Sequence, residues 1–289
     1  MSSKPSNFVE RNNFKTFLTL FTDWGAIFLI IAFSTGANNI VVYLIAIWTI
    51  GFLQLTIGDV LTHEASHYNL FQQKSWNDHL EFLYAYPCFL TVDVYRYYHL
   101  QHHKYVGKEG DYLVEDYNFF GWNRANNNLF FLWFLKPILG FSICYYLYEL
   151  FRQLPHLNWR PLKKGFRLLS FWIVVIVAFY LSGHIDILLL YWFIPYVWCF
   201  HSYLYWSEVE EHYNTQSGIR SKLNPLSNFL THNRGYHHIH HWYPSIPWYK
   251  LPEAHQALFP SDITDISYGL LDTYKQLEGT GNGGSGANG

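Results

Sequence analysis

Two pairs of long apolar runs limit what this chain can fold into. Residues 16–35 (TFLTLFTDWGAIFLIIAFST) and 40–60 (IVVYLIAIWTIGFLQLTIGDV) are separated only by GANN, and residues 168–182 (LLSFWIVVIVAFYLS) and 185–206 (IDILLLYWFIPYVWCFHSYLYW) only by a Gly-His pair. A helix of about 20 residues rises far enough to cross a hydrocarbon core roughly 30 Å thick. Connections this short force each pair into an antiparallel hairpin. The pattern predicts an all-α integral membrane protein with four transmembrane helices arranged as two hairpins. Charged residues make up only 14 % of the chain, against roughly 25 % in a soluble domain. Aromatics reach 21 %, as in proteins with wide interfacial belts.

Basic residues give the sidedness. Neither 36–39 nor 183–184 holds a Lys or Arg, so all 19 lie in the N-terminal segment, the 61–167 region or the C-terminal region after 206. The positive-inside rule then places both termini and both large polar regions in the cytoplasm. The segment 129–150 carries Lys136 and Pro137 mid-run. It is read as a helix lying in the interface or against the bundle. Residues 1–278 form one expected domain, and the glycine-rich tail 279–289 carries no core residue. A net charge of −2 gives no sign of a nucleic-acid partner. Cys88, Cys144 and Cys199 are far apart and form no CxxC pair, which argues against a disulfide framework or a cysteine-held cluster.

The histidines point to function. His63 and His67 sit four apart where the second run ends, on one helical face. In YRYYHLQHHKY, His99, His102 and His103 follow an i, i+3, i+4 pattern, and His237, His240 and His241 repeat it in GYHHIHHWYPSIP. All three clusters fall on the predicted cytoplasmic side, where they would form a helical cap. Neutral imidazole suits iron, copper, nickel and zinc. Eight such rings exceed what one ion accepts, so two adjacent metals are implied, and a set this poor in carboxylates suits an iron pair that activates oxygen. A ligating imidazole usually donates its other N–H to an acceptor. Asp59, one turn before His63, is the leading candidate, ahead of Glu64, Asp93 and Asp111. His79, His156, His184 and His255 read as surface or loop residues, His201 as a bundle hydrogen-bonding group, His232 as a flank of the third cluster, and His238 as turned away from the metals.

The order HEASH, HLQHH, HHIHH between two hairpins resembles the membrane fatty acid desaturase superfamily, a group of integral-membrane di-iron enzymes. The flanks HEASHYNLF, YRYYHLQHH and NPLSNFLTHNRGYHHIHHWYPSIPWYKLP are typical of it, and the likeness runs from about Asp23 to His255. The resemblance implies a ninth ligand, His212, in the EEH after the fourth run. It also implies a water-mediated group four residues earlier, where Glu208 stands in place of an amide.

The activity implied is oxygen-dependent desaturation of a fatty acyl chain linked to a carrier protein, coenzyme A or a lipid. The cofactors implied are two iron ions, with O2 as co-substrate. Hydroxylation, acetylene formation and carotenoid oxygenation use similar ligand sets and stay open. A membrane metal-binding or transport protein is a distant alternative, since the histidines crowd one end of the spans rather than lining a path. With no haem, cysteine-cluster or GxGxxG motif in view, electrons are expected from a separate ferredoxin, rubredoxin or small haem cytochrome. Arg96, Lys104, Lys108, Arg220, Lys222 and Arg234 are candidate docking residues for that donor, or contacts for anionic membrane lipid or an acidic carrier-bound substrate, and positive-inside bias alone also accounts for them. Trp48, Phe52, Trp192 and Trp198 are candidate walls of an acyl tunnel.

Overall fold

The computed structural model describes residues 4–144, 147, 162–260 and 262–279, and it is mostly helical. His156, the end of the 129–150 segment and the tail beyond Gly279 lie outside the described residues.

Helix α1 (Asn13–Ala37) starts where the Asn12 side chain accepts from the Lys15 N–H. It stops at Asn38, whose left-handed backbone (φ 44°) is a conformation that asparagine tolerates well. Asn39 then accepts from the Val41 and Val42 N–H groups and opens the next helix. Caps of this kind contribute about 1 kcal/mol each, so one Asn-Asn pair ends one helix and begins its antiparallel neighbour. Helix α2 runs unbroken over Ile40–Ser66, including a π-helical stretch at Leu55–Val60. The apolar run was expected to end at 60. The helix continues because Thr62, His63 and Glu64 are buried, and buried backbone must keep its internal hydrogen bonds.

After α2 come α3 (Val92–Tyr105), α4 (Tyr112–Phe120), α5 (Leu162–Leu181) and α6 (Ile185–His212). Further along come α7 (Pro225–Leu230), α8 (His237–Trp242), α9 (Leu251–Leu258) and α10 (Leu270–Leu277), with shorter helical turns between the named helices. Two short parallel strands, β1 (Ser221–Lys222) and β2 (Ile266–Ser267), pair Ser221 with Ile266. Helices α1, α2 and α6 are long and apolar enough to cross a membrane, whereas the apolar part of α5, Gly165–Leu181, is shorter. Phe28, Leu29, Phe33, Val174 and Leu181 face outward. So much contiguous apolar surface suits lipid rather than water.

Close packing joins the two hairpins. A Cβ at Gly51 on α2 would overlap the Cys199 side chain on α6, so only glycine fits that crossing. Between α2 and α3, residues 81–90 pass among the helices as two short 3-10 turns, Glu81–Leu83 and Tyr86–Cys88, with irregular backbone around them. Their carbonyls are satisfied by aromatic donors: Trp24 Nε1 to Leu83 O (2.9 Å), Trp172 Nε1 to Tyr86 O (2.9 Å), Trp192 Nε1 to Pro87 O (3.0 Å) and Tyr196 OH to Cys88 O (2.9 Å). Backbone outside a continuous α-helix is tolerated among such helices only where its polar groups are paired in this way.

The same device holds the described part of 129–150 against α6. Trp198 Nε1 donates to Ile138 O, the Ser202 hydroxyl to Pro137 O and the Tyr205 hydroxyl to Leu132 O. Trp192 and Trp198, two of the candidate tunnel walls, are therefore hydrogen-bonding anchors. Trp48 packs on Trp198, Tyr203 and Trp206. Phe52, by contrast, does line a cavity.

Candidate metal centre

Four elements deliver imidazoles to one place. His63 and His67 come from the end of α2, and His99, His102 and His103 from α3. His212 is the last residue of α6, and His237, His240 and His241 lie on α8. The side-chain nitrogens fall into two neighbouring sets. His63, His67, His99, His103 and His240 form one; His102, His212 and His241 form the other, with Glu211 and His237 grouped around the same His212. In the first set His99 Nε2 is 2.8 Å from His67 Nε2 and 2.9 Å from His103 Nε2, which is 3.1 Å from His240 Nε2. In the second, His237 Nε2 is 2.9 Å from His212 Nε2 and 3.1 Å from His241 Nε2. The sets meet where the His103 and His241 rings stack with centroids 4.2 Å apart.

Local chemistry fixes how these rings are protonated. His102 Nδ1 is 3.0 Å from Asp111 Oδ1, and His212 Nδ1 is 2.8 Å from the Gly218 carbonyl oxygen. A carbonyl only accepts, so His212 carries its proton on Nδ1 and turns a bare Nε2 lone pair inward. The Asp111 carboxylate sets the same tautomer on His102, whose buried Nε2 has no hydrogen-bond partner. Such an orphaned acceptor costs about 1–3 kcal/mol, and a bound cation would remove that cost.

Burial also keeps the rings neutral. It pulls His67 down to about 4 and His103 to about 3, and holds His99, His237, His240 and His241 well below the ordinary imidazole value, with neighbouring imidazoles adding to the effect for those four. Converging, neutral, inward-facing nitrogen donors are what two soft-to-borderline cations need. The nine side chains fit that use, and the buried guanidinium nearest to them, Arg234, is held by Asp59, Glu208 and Glu211.

The expected supporting acids are placed differently. Asp59 accepts from Arg234 and from Tyr95 OH (2.9 Å) rather than from an imidazole. It lies in the π-helical stretch, whose wider turn shifts its register relative to His63. Glu208 sits 3.5 Å from Arg234 Nη2, and it is Glu211 that stands beside an imidazole, 3.8 Å from His237 Nε2. Glu64 approaches His63 Nδ1 at 3.6 Å. Asp111 both orients His102 and caps α4 through the Leu113 N–H. Its signal in the sequence was the G-x-x-G-D turn after the second histidine cluster. His238 turns away, as expected, towards Ser221 Oγ (2.8 Å) and Ser217 Oγ (3.2 Å).

Four of the six candidate docking cations face inward. Arg220 is fully buried, Arg234 joins Asp59, Glu208 and Glu211, Lys222 joins Glu210 and Glu211, and Arg96 holds the end of α2 through Ser66 O and Ala65 O. Lys104 and Lys108 remain exposed. Gly235, just ahead of α8, lies so close to β1 that a Cβ there would overlap the Lys222 carbonyl oxygen. The Gly235 carbonyl in turn accepts from the Lys222 N–H at 2.8 Å.

Comparison with known proteins gives a consistent picture. Residues 38–268 match the family model described as fatty acid desaturase. The chain is 29 % identical over 239 residues to a dihydrorhizobitoxine desaturase of Bradyrhizobium elkanii, an overlap of 73 % of this chain and 66 % of that protein. It is 27 % identical over 210 residues to a sphingolipid delta(4)-desaturase of Gallus gallus, covering 66 % of this chain and 58 % of the relative. The chain thus spans a little under two thirds of the length of the curated relatives it matches.

Proposed function

Because the chain belongs to the fatty acid desaturase family, we propose that it is a membrane oxidoreductase that removes two hydrogens from neighbouring carbons of an acyl chain. The observation that carries this reading is the convergence of nine imidazoles from four distant segments into two adjoining sets. In the proposal His63, His67, His99, His103 and His240 hold one iron, and His102, His212, His237 and His241 hold the other beside Glu211. Bound there, the iron pair supplies the oxidation of an unactivated C–H bond at the expense of O2.

The balance of the reaction is that the chain loses two hydrogens to become an alkene. O2 takes these, with two electrons and two protons, to give two waters. The electrons come from an external donor of the ferredoxin, rubredoxin or small haem cytochrome class, for which Lys104 and Lys108 beside the second histidine cluster offer an exposed docking point. Asp111 and the Gly218 carbonyl hold the proton of His102 and His212 on Nδ1. The ion pairs around Arg234 tie α2, α6 and the approach to α8 together. Phe52, Tyr203 and Trp206, which line the cavity beside Glu211, exclude water, so that reactive species meet only the bound chain.

Residues 1–278 act as one unit in this reading, with four spans in two hairpins and the histidines and both termini on the cytoplasmic side. α5 is the fourth span despite its shorter apolar stretch. Both named relatives are desaturases, which supports alkene formation over hydroxylation, although the same donor set serves both.

Mass spectrometry of lipids from cells expressing the chain, with and without His102→Ala, tests the proposal. A two-hydrogen mass loss that vanishes in the variant supports it, and a gain of one oxygen would make the protein a hydroxylase.

A further inference from the structure

A cavity of about 380 Å³ lies between the histidine-side ends of α2 and α6 and the segments that follow α6. Phe52 and Leu55 of α2 and Tyr203 and Trp206 of α6 give it an apolar wall. Its inner wall is polar, made by Glu210, Glu211, Lys222 and Arg234. Since Glu211 reaches to 3.8 Å from His237, that wall is one side chain away from the imidazoles. A second cavity adjoins it, sharing Phe52, Glu210, Lys222 and Thr231, and opens between α7 and α10 at a rim of Leu226, Leu230 and Leu270.

Two properties of this opening identify what uses it. The first is where it lies. Phe52 is twelve residues beyond Ile40, which puts it roughly 18 Å along a span that crosses about 30 Å of hydrocarbon. The rim of α7 and α10 is continuous with this lipid-depth residue. It carries Phe229 (78 % exposed) and Leu271 (79 % exposed) beside Leu226 and Leu270, although neither helix is long enough to span anything. Apolar side chains of this size favour leaving water, and their outward display suits helices lying in the acyl boundary. The second property is charge. Both cations lining the cavities are committed to carboxylates, Lys222 to Glu210 (3.1 Å) and Arg234 to Asp59 and Glu211. Among the described lining residues none is left to receive a phosphate.

We propose that this opening is a lateral portal: α7 and α10 dip into the leaflet, and the substrate is a bilayer-resident lipid with an uncharged polar head rather than a soluble, anionic coenzyme A thioester. The chain passes over Phe52, Leu230 and Leu270. Thr231 and Ser227 meet the head group, and the chain carbons next to it lie against Glu211, beside the imidazoles. This inference rests on the acyl-desaturase reading and narrows its substrate class.

The test uses the full chain, iron-loaded and reconstituted in phosphatidylcholine vesicles. Nitroxides are placed at Phe229→Cys and Leu271→Cys in a Cys144→Ser background. The portal predicts that both are relaxed more by O2 than by a water-soluble nickel chelate. Relaxation mainly by the chelate would overturn it and leave the patch to a soluble protein partner. In the same vesicles an N-acyl amino-alcohol lipid bearing a chain diazirine should photolabel the Phe52 and Leu270 region, with labelling suppressed by unlabelled lipid and unaffected by palmitoyl-coenzyme A. Equal suppression by the thioester would refute the substrate class. Neither readout needs turnover. Labelling without any alkene product would therefore sink the desaturase reading alone, while alkene formation with water-facing nitroxides would sink the portal alone.

Discussion

His102 owes its geometry to a residue that binds no metal in this account. Asp111 pins the Nδ1 proton of the ring and so leaves Nε2 bare. Groups in this position typically govern 10–100-fold in metal affinity. Asp111→Ala should lower iron affinity by about that factor, read by metal titration, with helix content by circular dichroism largely kept. Unchanged affinity would detach Asp111 from the site.

Burial gives a second prediction at this scale, for the metal-free protein. An unfolded imidazole takes up its proton near pH 6.5, whereas folded His67 does so only near 4 and His103 near 3. The unfolded chain therefore binds more protons between those values. Stability should be full above about pH 6.5 and fall progressively as the pH drops towards 4. Thermal melting in detergent measures this, and a melting temperature flat across that window would contradict it.

Among the elements, periodicity and spacing in the sequence already showed the long apolar helices and the shared face of each histidine cluster. GANN was legible as a turn because asparagine both caps and tolerates positive φ. Less legible were the places where a helix outruns its apolar stretch, as α2 and α6 do. Hydropathy stops at the first polar residue, while backbone hydrogen bonding in a buried site does not. The partners of Asp59 could not be read at all, because a π-helical turn moves a face without any marker in composition. Tryptophan roles were equally hidden, since a tunnel wall and a carbonyl anchor have the same local pattern.

Two predictions belong to this level. Gly235→Ala drives a methyl into the Lys222 carbonyl and should separate α8 from β1, so that purified protein loses most of its metal while the spans stay helical. Retained metal would mean that the loop gives way. Trp192→Phe leaves the Pro87 carbonyl unpaired at a cost of about 1–3 kcal/mol, to be seen as a lowered melting temperature.

At the scale of the whole molecule, the proposal requires all nine clustered imidazoles to lie on one side of the bilayer. Cysteines at Gly36→Cys, in the last turn of α1, and at His184→Cys, in the second short connection, should react with an impermeant maleimide only from the face opposite Lys108→Cys. Labelling of all three from one face would divide the histidine clusters and dissolve the site.

The most direct test of the central claim is to count and ligate the metals themselves. Protein produced with iron should contain two irons per chain, and X-ray absorption should show a first shell dominated by imidazole nitrogen. His103→Ala and His241→Ala should each depress the iron count. A single iron, or a shell dominated by oxygen and indifferent to these substitutions, would contradict the account.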